Sequence, residues 1–148
     1  LLLLLFLIPN LVMGEELILV CKGEVLSLTD NSGNLNSFQK EFSVKVFDES
    51  VQIIEASNKF VSFFNDRFNE NGVEGFKTYG KTKDSIYGSR NVTYKRMQRY
   101  EFSSLEINRI TGDISYNQSN LTKATDEYKE KSYSMTFTGK CKKKERAF

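Results

Sequence analysis

Apolar and polar residues alternate with a period of two through most of this chain. That is the spacing of strands with one face in a core and the other in water. Phe38, Phe42, Val44 and Val46 share one parity, and Gln39, Glu41, Ser43 and Lys45 hold the other. Near the far end, Tyr133, Met135, Phe137 and Cys141 alternate with Ser134, Thr136, Thr138 and Lys140. A first strand is predicted over 17–29, with Leu17, Leu19 and Cys21 on one face. Its apolar parity then slips to Leu26 and Leu28, and Gly23 just before the slip suggests a bulge. A similar slip separates Tyr100 and Phe102 from Leu105 and Ile107, which suggests a second bulge near Ser103-Ser104.

Turn residues divide these runs. Asp30-Asn31-Ser32-Gly33-Asn34, Asp48-Glu49-Ser50 and Asn69-Glu70-Asn71-Gly72 each offer side chains that bond locally or tolerate positive φ. Asn108 to Gly112 joins Tyr100–Ile107 to Asp113–Tyr116, with Gly112 expected in the left-handed position that closes a short hairpin loop. Between Ser57 and Asn69 two periods compete. Phe60, Phe64 and Phe68 recur at helical spacing behind a capping Ser57, yet Val61 and Phe63 interleave with them as in a strand. The strand is preferred for Lys59–Phe64. The polar stretch from Asn117 to Lys131 reads as a long loop with room for a helical turn. No repeat or second-domain linker interrupts the pattern. The fold class is all-β, an antiparallel meander closing into a small barrel or strongly curved sheet.

The N-terminal residues set the compartment. Leu1 to Ile8 is an unbroken apolar run, followed by Pro9-Asn10 and by Val12 and Gly14 at the spacing of a cleavage site. Residues 1–14 are read as a signal peptide lacking its basic front and initiator Met, and 15–148 as a single β domain. The run falls short of the roughly 20 apolar residues that cross a bilayer, so no transmembrane span is expected after processing. Lipid attachment at Cys21 fits poorly, because Leu19-Val20 are bulky where that processing needs small residues. The protein is therefore expected to be exported, periplasmic or extracellular. In such a compartment the only two cysteines, Cys21 and Cys141, are expected to pair, the alternative being two buried free thiols. Each lies in phase with the apolar residues of its strand, the first and the last.

Composition narrows the chemistry. The chain has no His, which removes Ser-His-Asp, Cys-His and His-ligated metal sites, and no cofactor is expected. Its formal net charge of +2 makes nucleic acid an unlikely partner. Lys81, Lys83, Arg90, Lys95, Arg96 and Arg99 interleave with Tyr79, Tyr87, Tyr94 and Tyr100. Such a run can form a basic face with stacking aromatics. The preferred reading is an ordinary strand pair with Tyr inward and charges outward. Carboxylate pairs at Glu15-Glu16 and Asp126-Glu127 suit a solvated surface better than a glycosidase, and the charge run from Lys140 to Arg146 suits a solvated terminus. Phe38, Phe42, Phe64, Phe76, Phe102 and Phe137 could line a cavity for a small apolar ligand, or simply fill the core.

The segments Arg109-Ile110-Thr111-Gly112 and Gly139-Lys140-Cys141 resemble a pattern in uncharacterised small secreted proteins of Gram-negative bacteria. In that pattern an R-x-T-G hairpin precedes a G-x-C ending. The resemblance implies export and β structure and carries no activity. The general plan also looks like the lipocalin type of barrel, although Gly23 is followed two residues on by Val25 where that family has G-x-W. Together these features point to a non-enzymatic binding module of the cell envelope, taking a small apolar ligand or an envelope protein. The alternative is a small carboxylate-dependent hydrolase.

Overall fold

A computed structural model describes residues 17–29, 34–54 and 60–144. The proposed leader 1–14, the loop 30–33, the Ser57 cap and the end of the basic tail lie outside the described residues. Ten strands follow one another in chain order: β1 (Leu17–Thr29), β2 (Asn34–Val46), β3 (Ser50–Ile54), β4 (Phe60–Phe64), β5 (Asp66–Glu70), β6 (Val73–Lys81), β7 (Ser85–Tyr94), β8 (Arg99–Asn108), β9 (Asp113–Thr122) and β10 (Lys131–Lys143). All pairings are antiparallel, in the order β4-β3-β2-β1-β10-β9-β8-β7-β6-β5. The meander forms a nearly closed barrel, as the alternation predicts.

The first and last strands meet at the middle of the sheet. Cys21 lies directly opposite Cys141, and the two form a disulfide with α-carbons 4.0 Å apart. That is slightly closer than the usual range of about 4.4–6.8 Å. In the same ladder the Lys144 N–H donates to the Ile18 carbonyl, so the Cys21–Cys141 pair falls in the closer, non-hydrogen-bonded register. The sheet's two edges, β4 and β5, are consecutive in sequence and meet at Asn65. The Asn65 side-chain oxygen accepts the Tyr79 N–H at 3.0 Å, and the Tyr79 hydroxyl donates to the Phe47 carbonyl at 2.8 Å. Phe63 packs directly over Gly88, bringing β4 against β7 across the barrel.

The core fills one end of the barrel. Cross-strand rows such as Ile86–Ile107–Ile114, Leu105–Tyr116–Phe137–Val25 and Val46–Val51–Phe63 are buried together with Phe42 and the disulfide. Outside that end the face is charged. Lys22 pairs with Glu41 at 2.7 Å, and Lys140 pairs with Asp113.

Several local expectations change. Neither predicted bulge is present: β1 keeps one register with β2 and β10, and β8 keeps one register with β7 and β9. Leu26, Leu28, Tyr100 and Phe102 therefore face outward and are exposed, while Ser27, Glu101 and Ser103 face inward. The predicted loop from Asn117 onward is strand as far as Thr122, and β10 already begins at Lys131. Asn69 and Glu70 belong to β5, leaving a two-residue turn at Asn71 and Gly72 with φ of 53° and 77°. Such a turn suits the right-handed twist of a tight hairpin. The strand reading of residues 59–64 holds for Phe60–Phe64. Gly112 has φ of 74°, and its N–H donates to the Asn108 carbonyl at 2.9 Å, closing the predicted hairpin loop.

Candidate polar cradle on the inner face

With no bulge to reset the register, the inner face changes character along the strands. Beyond the apolar rows lies the row Asp66–Lys77–Arg90–Ser103–Gln118–Met135–Ser27, each residue directly opposite the next. Beside it runs Phe68–Gly75–Val92–Glu101–Asn120–Tyr133. Backbone parity puts these side chains on the face that Leu105 and Phe137 occupy nearer the core. One end of the barrel is thus apolar inside and charged outside. The other is polar inside, with Phe76, Phe102, Tyr100 and Leu121 exposed on its outer surface.

Glu101, unlike the exposed Asp66 of the neighbouring row, is a shielded carboxylate whose side chain is only 16% exposed. Arg99 holds it at 2.6 Å, Arg90 approaches its other oxygen at 3.5 Å, and the Tyr94 hydroxyl lies 3.5 Å from that same oxygen. The Asn120 side-chain oxygen, on the residue opposite Glu101, is buried and has no hydrogen-bond partner among the described residues. Lys77 extends its ammonium over the Phe64 ring at 4.1 Å and lies 5.8 Å from the Phe68 ring. A cation over a ring face gains from the ring quadrupole, and the ammonium keeps N–H donors that the ring does not occupy. Burial holds the Lys77 ammonium below the ordinary lysine value, the Arg90 charge pushes it lower still, and Asp66 opposes both.

The interleaved basic and aromatic run divides between the two faces. Arg90, Arg99, Tyr79 and Tyr94 point inward, whereas Tyr87 and Tyr100 are exposed on the outer face. Lys95 and Arg96 lie in the turn after β7, where Lys95 pairs with Glu74 at 2.7 Å. The reading with all charges outward fails for Arg90 and Arg99. The inner face is apolar along only part of its length.

The six phenylalanines do not gather about one cavity. Phe42 and Phe137, 5% and 0% exposed, meet at 4.5 Å between ring centroids inside the filled core. Phe38 lies in the Phe137 row on the far side of Val25, yet is 48% exposed. Phe64 lies under Lys77 and borders an open cleft of about 530 Å³ at the β4–β5 corner, with Asp48, Asn65 and Tyr79. Phe76 and Phe102 flank Asn91 on the outer face. The sequence signal for the cradle was the pair of parity slips, once they are read without bulges. Comparison of the chain with protein-family models, curated proteins and solved structures finds no match.

Proposed function

We propose that this protein is an exported, non-enzymatic binding module whose ligand enters the polar end of the barrel. The observation that carries this reading is the cradle itself. Lys77, Arg90, Glu101 and Asn120 are set on paired strands of the inner face, and the one ion pair among these described residues is the long one between Arg90 and Glu101. The buried Asn120 oxygen has no partner among the described residues, which costs free energy that a ligand donating to it would recover. Strands also hold such groups more rigidly than loops do. The apolar-ligand version needed six phenylalanines about one cavity, and they are divided between two faces, so we assign the ligand polar character. Export is supported by the apolar leader and by the Cys21–Cys141 disulfide, a bond that persists in oxidising compartments.

A panel of small polar solutes titrated into isotope-labelled protein tests the reading. Shifts are expected to concentrate on Lys77, Arg90, Glu101 and Asn120. A panel that leaves these residues unmoved while perturbing the outer face would replace the cradle with a surface site. Phe76, Phe102 and Tyr100, exposed on that outer face, favour a protein partner as the second reading. Turnover of a glycan or ester that disappears in a folded Glu101→Gln variant would move the assignment to a carboxylate hydrolase.

A further inference from the structure

Lys77 and Arg90 are a directly opposed cross-strand pair on the inner face. Like charges in that position repel and work against the sheet. The surroundings relieve the repulsion only in part. Arg90 has five N–H donors and makes one ion pair among the described residues, a long one to Glu101, which Arg99 already holds more closely. Lys77 makes no ion pair among the described residues. Asp66, opposite it on β5, is exposed and does not close on it. Two adjacent cations, one above an aromatic ring and one with a single long ion pair among the described residues, lie together on the inner face.

We infer that an oxyanion of the ligand, a phosphate or a carboxylate, is held between Lys77 and Arg90, an inference that rests on the binding reading above. The planar guanidinium can offer two parallel N–H donors to one oxyanion, and the ammonium supplies a point charge from the neighbouring strand. The buried Asn120 oxygen lies two strands from Arg90 and two residues further along, roughly 12 Å between backbones at the usual strand spacing and rise. It would accept a hydroxyl or N–H from the remainder of the same ligand. The recognised chemistry is therefore an anionic group on a small polar molecule, or the same group on a lipid headgroup.

The test uses inorganic phosphate and vesicles of phosphatidylglycerol, with phosphatidylcholine vesicles as the neutral control. Phosphate is expected to shift the Lys77 and Arg90 side-chain resonances and to raise the pH at which Lys77 titrates, since a bound anion favours the ammonium. Lys77→Met is expected to weaken binding at least tenfold, and Lys77→Arg to restore most of it. Loss of binding in Arg90→Gln provides the same evidence from the other strand. Binding to phosphatidylglycerol alone, lost in Lys77→Met, supports the inference with a lipid source. Failure of both probes to move Lys77 in the wild-type protein, or equal affinity in wild type and Lys77→Met, overturns it. If neutral polar solutes still shift Glu101 and Asn120, the binding reading survives and only the oxyanion is lost.

Discussion

Tyr79 and Gly112 show how single residues hold the barrel's corners. Tyr79 sits at the β4–β5 corner with its hydroxyl donating to the Phe47 carbonyl, and burial raises its phenol above the ordinary value, with the Asp48 charge adding to the effect and Arg109 opposing it. A raised folded-state value means that this contribution to stability is complete below pH 10, the unfolded value, and is lost as pH rises through the folded one. Tyr79→Phe is expected to cost on the order of 1 kcal/mol at neutral pH through the lost hydrogen bond. It should also remove part of the alkaline loss of stability, which chemical denaturation at stepped pH would show. An unchanged alkaline profile would assign that loss to other groups. Gly112 has positive φ, and a β-carbon there would meet the Cys141 carbonyl oxygen at 2.6 Å. Gly112→Val is expected to destabilise by about 1–3 kcal/mol. A neutral result would mean that the loop has another geometry in solution.

At the scale of strands, the absence of bulges decides which side chains carry the core. Phe102 and Leu105 lie three residues apart on β8, yet Phe102 is 42% exposed and Leu105 is buried. Phe102→Ser is expected to change unfolding free energy by less than about 0.5 kcal/mol. Leu105→Ala should cost about 2–5 kcal/mol. Comparable losses in urea denaturation would place Phe102 in the core and restore the bulge. Much of this architecture was legible in the chain. The first strand runs over Leu17–Thr29 as its alternation predicts, and Tyr133, Met135, Phe137 and Cys141 share the inner face of β10. Hydrophobicity alone places apolar residues inward, so Leu26, Leu28, Tyr100 and Phe102, which face outward, imitate the signature of a bulge. Gln118 and Asn120 line the polar cradle, so no inward apolar residue marked the second half of β9 as strand, and it read as loop. The cradle residues Arg90 and Arg99 were visible as part of a basic run, but Lys77, Glu101 and Asn120 had no local motif to single them out. Their placement on one face arises from register across four strands, β6 to β9.

Across the whole molecule, the disulfide and the β4–β5 corner divide the work of closing the sheet. The Cys21–Cys141 bond joins the chain's first and last strands across a sequence separation of 120. A loop of ~120 residues corresponds to an upper estimate of about 4–5 kcal/mol in the chain-entropy model. Cys141→Ser is expected to lower the melting temperature under non-reducing conditions and to match the wild type once both are reduced. A variant that melts with the oxidised wild type would show that the bond adds nothing to the paired strands. The proposed ligand site depends on one global property, a register that continues unbroken while the inner face passes from apolar to polar. Cross-strand nuclear Overhauser effects along β7, β8 and β9 measure that register most directly. The expected result is continuous pairing from Arg99 opposite Thr122 to Ile107 opposite Ile114, with Phe102 opposite both Asn91 and Ser119. A one-residue step at Ser103-Ser104, turning Phe102 inward and Glu101 outward, would contradict the cradle and the function proposed for it.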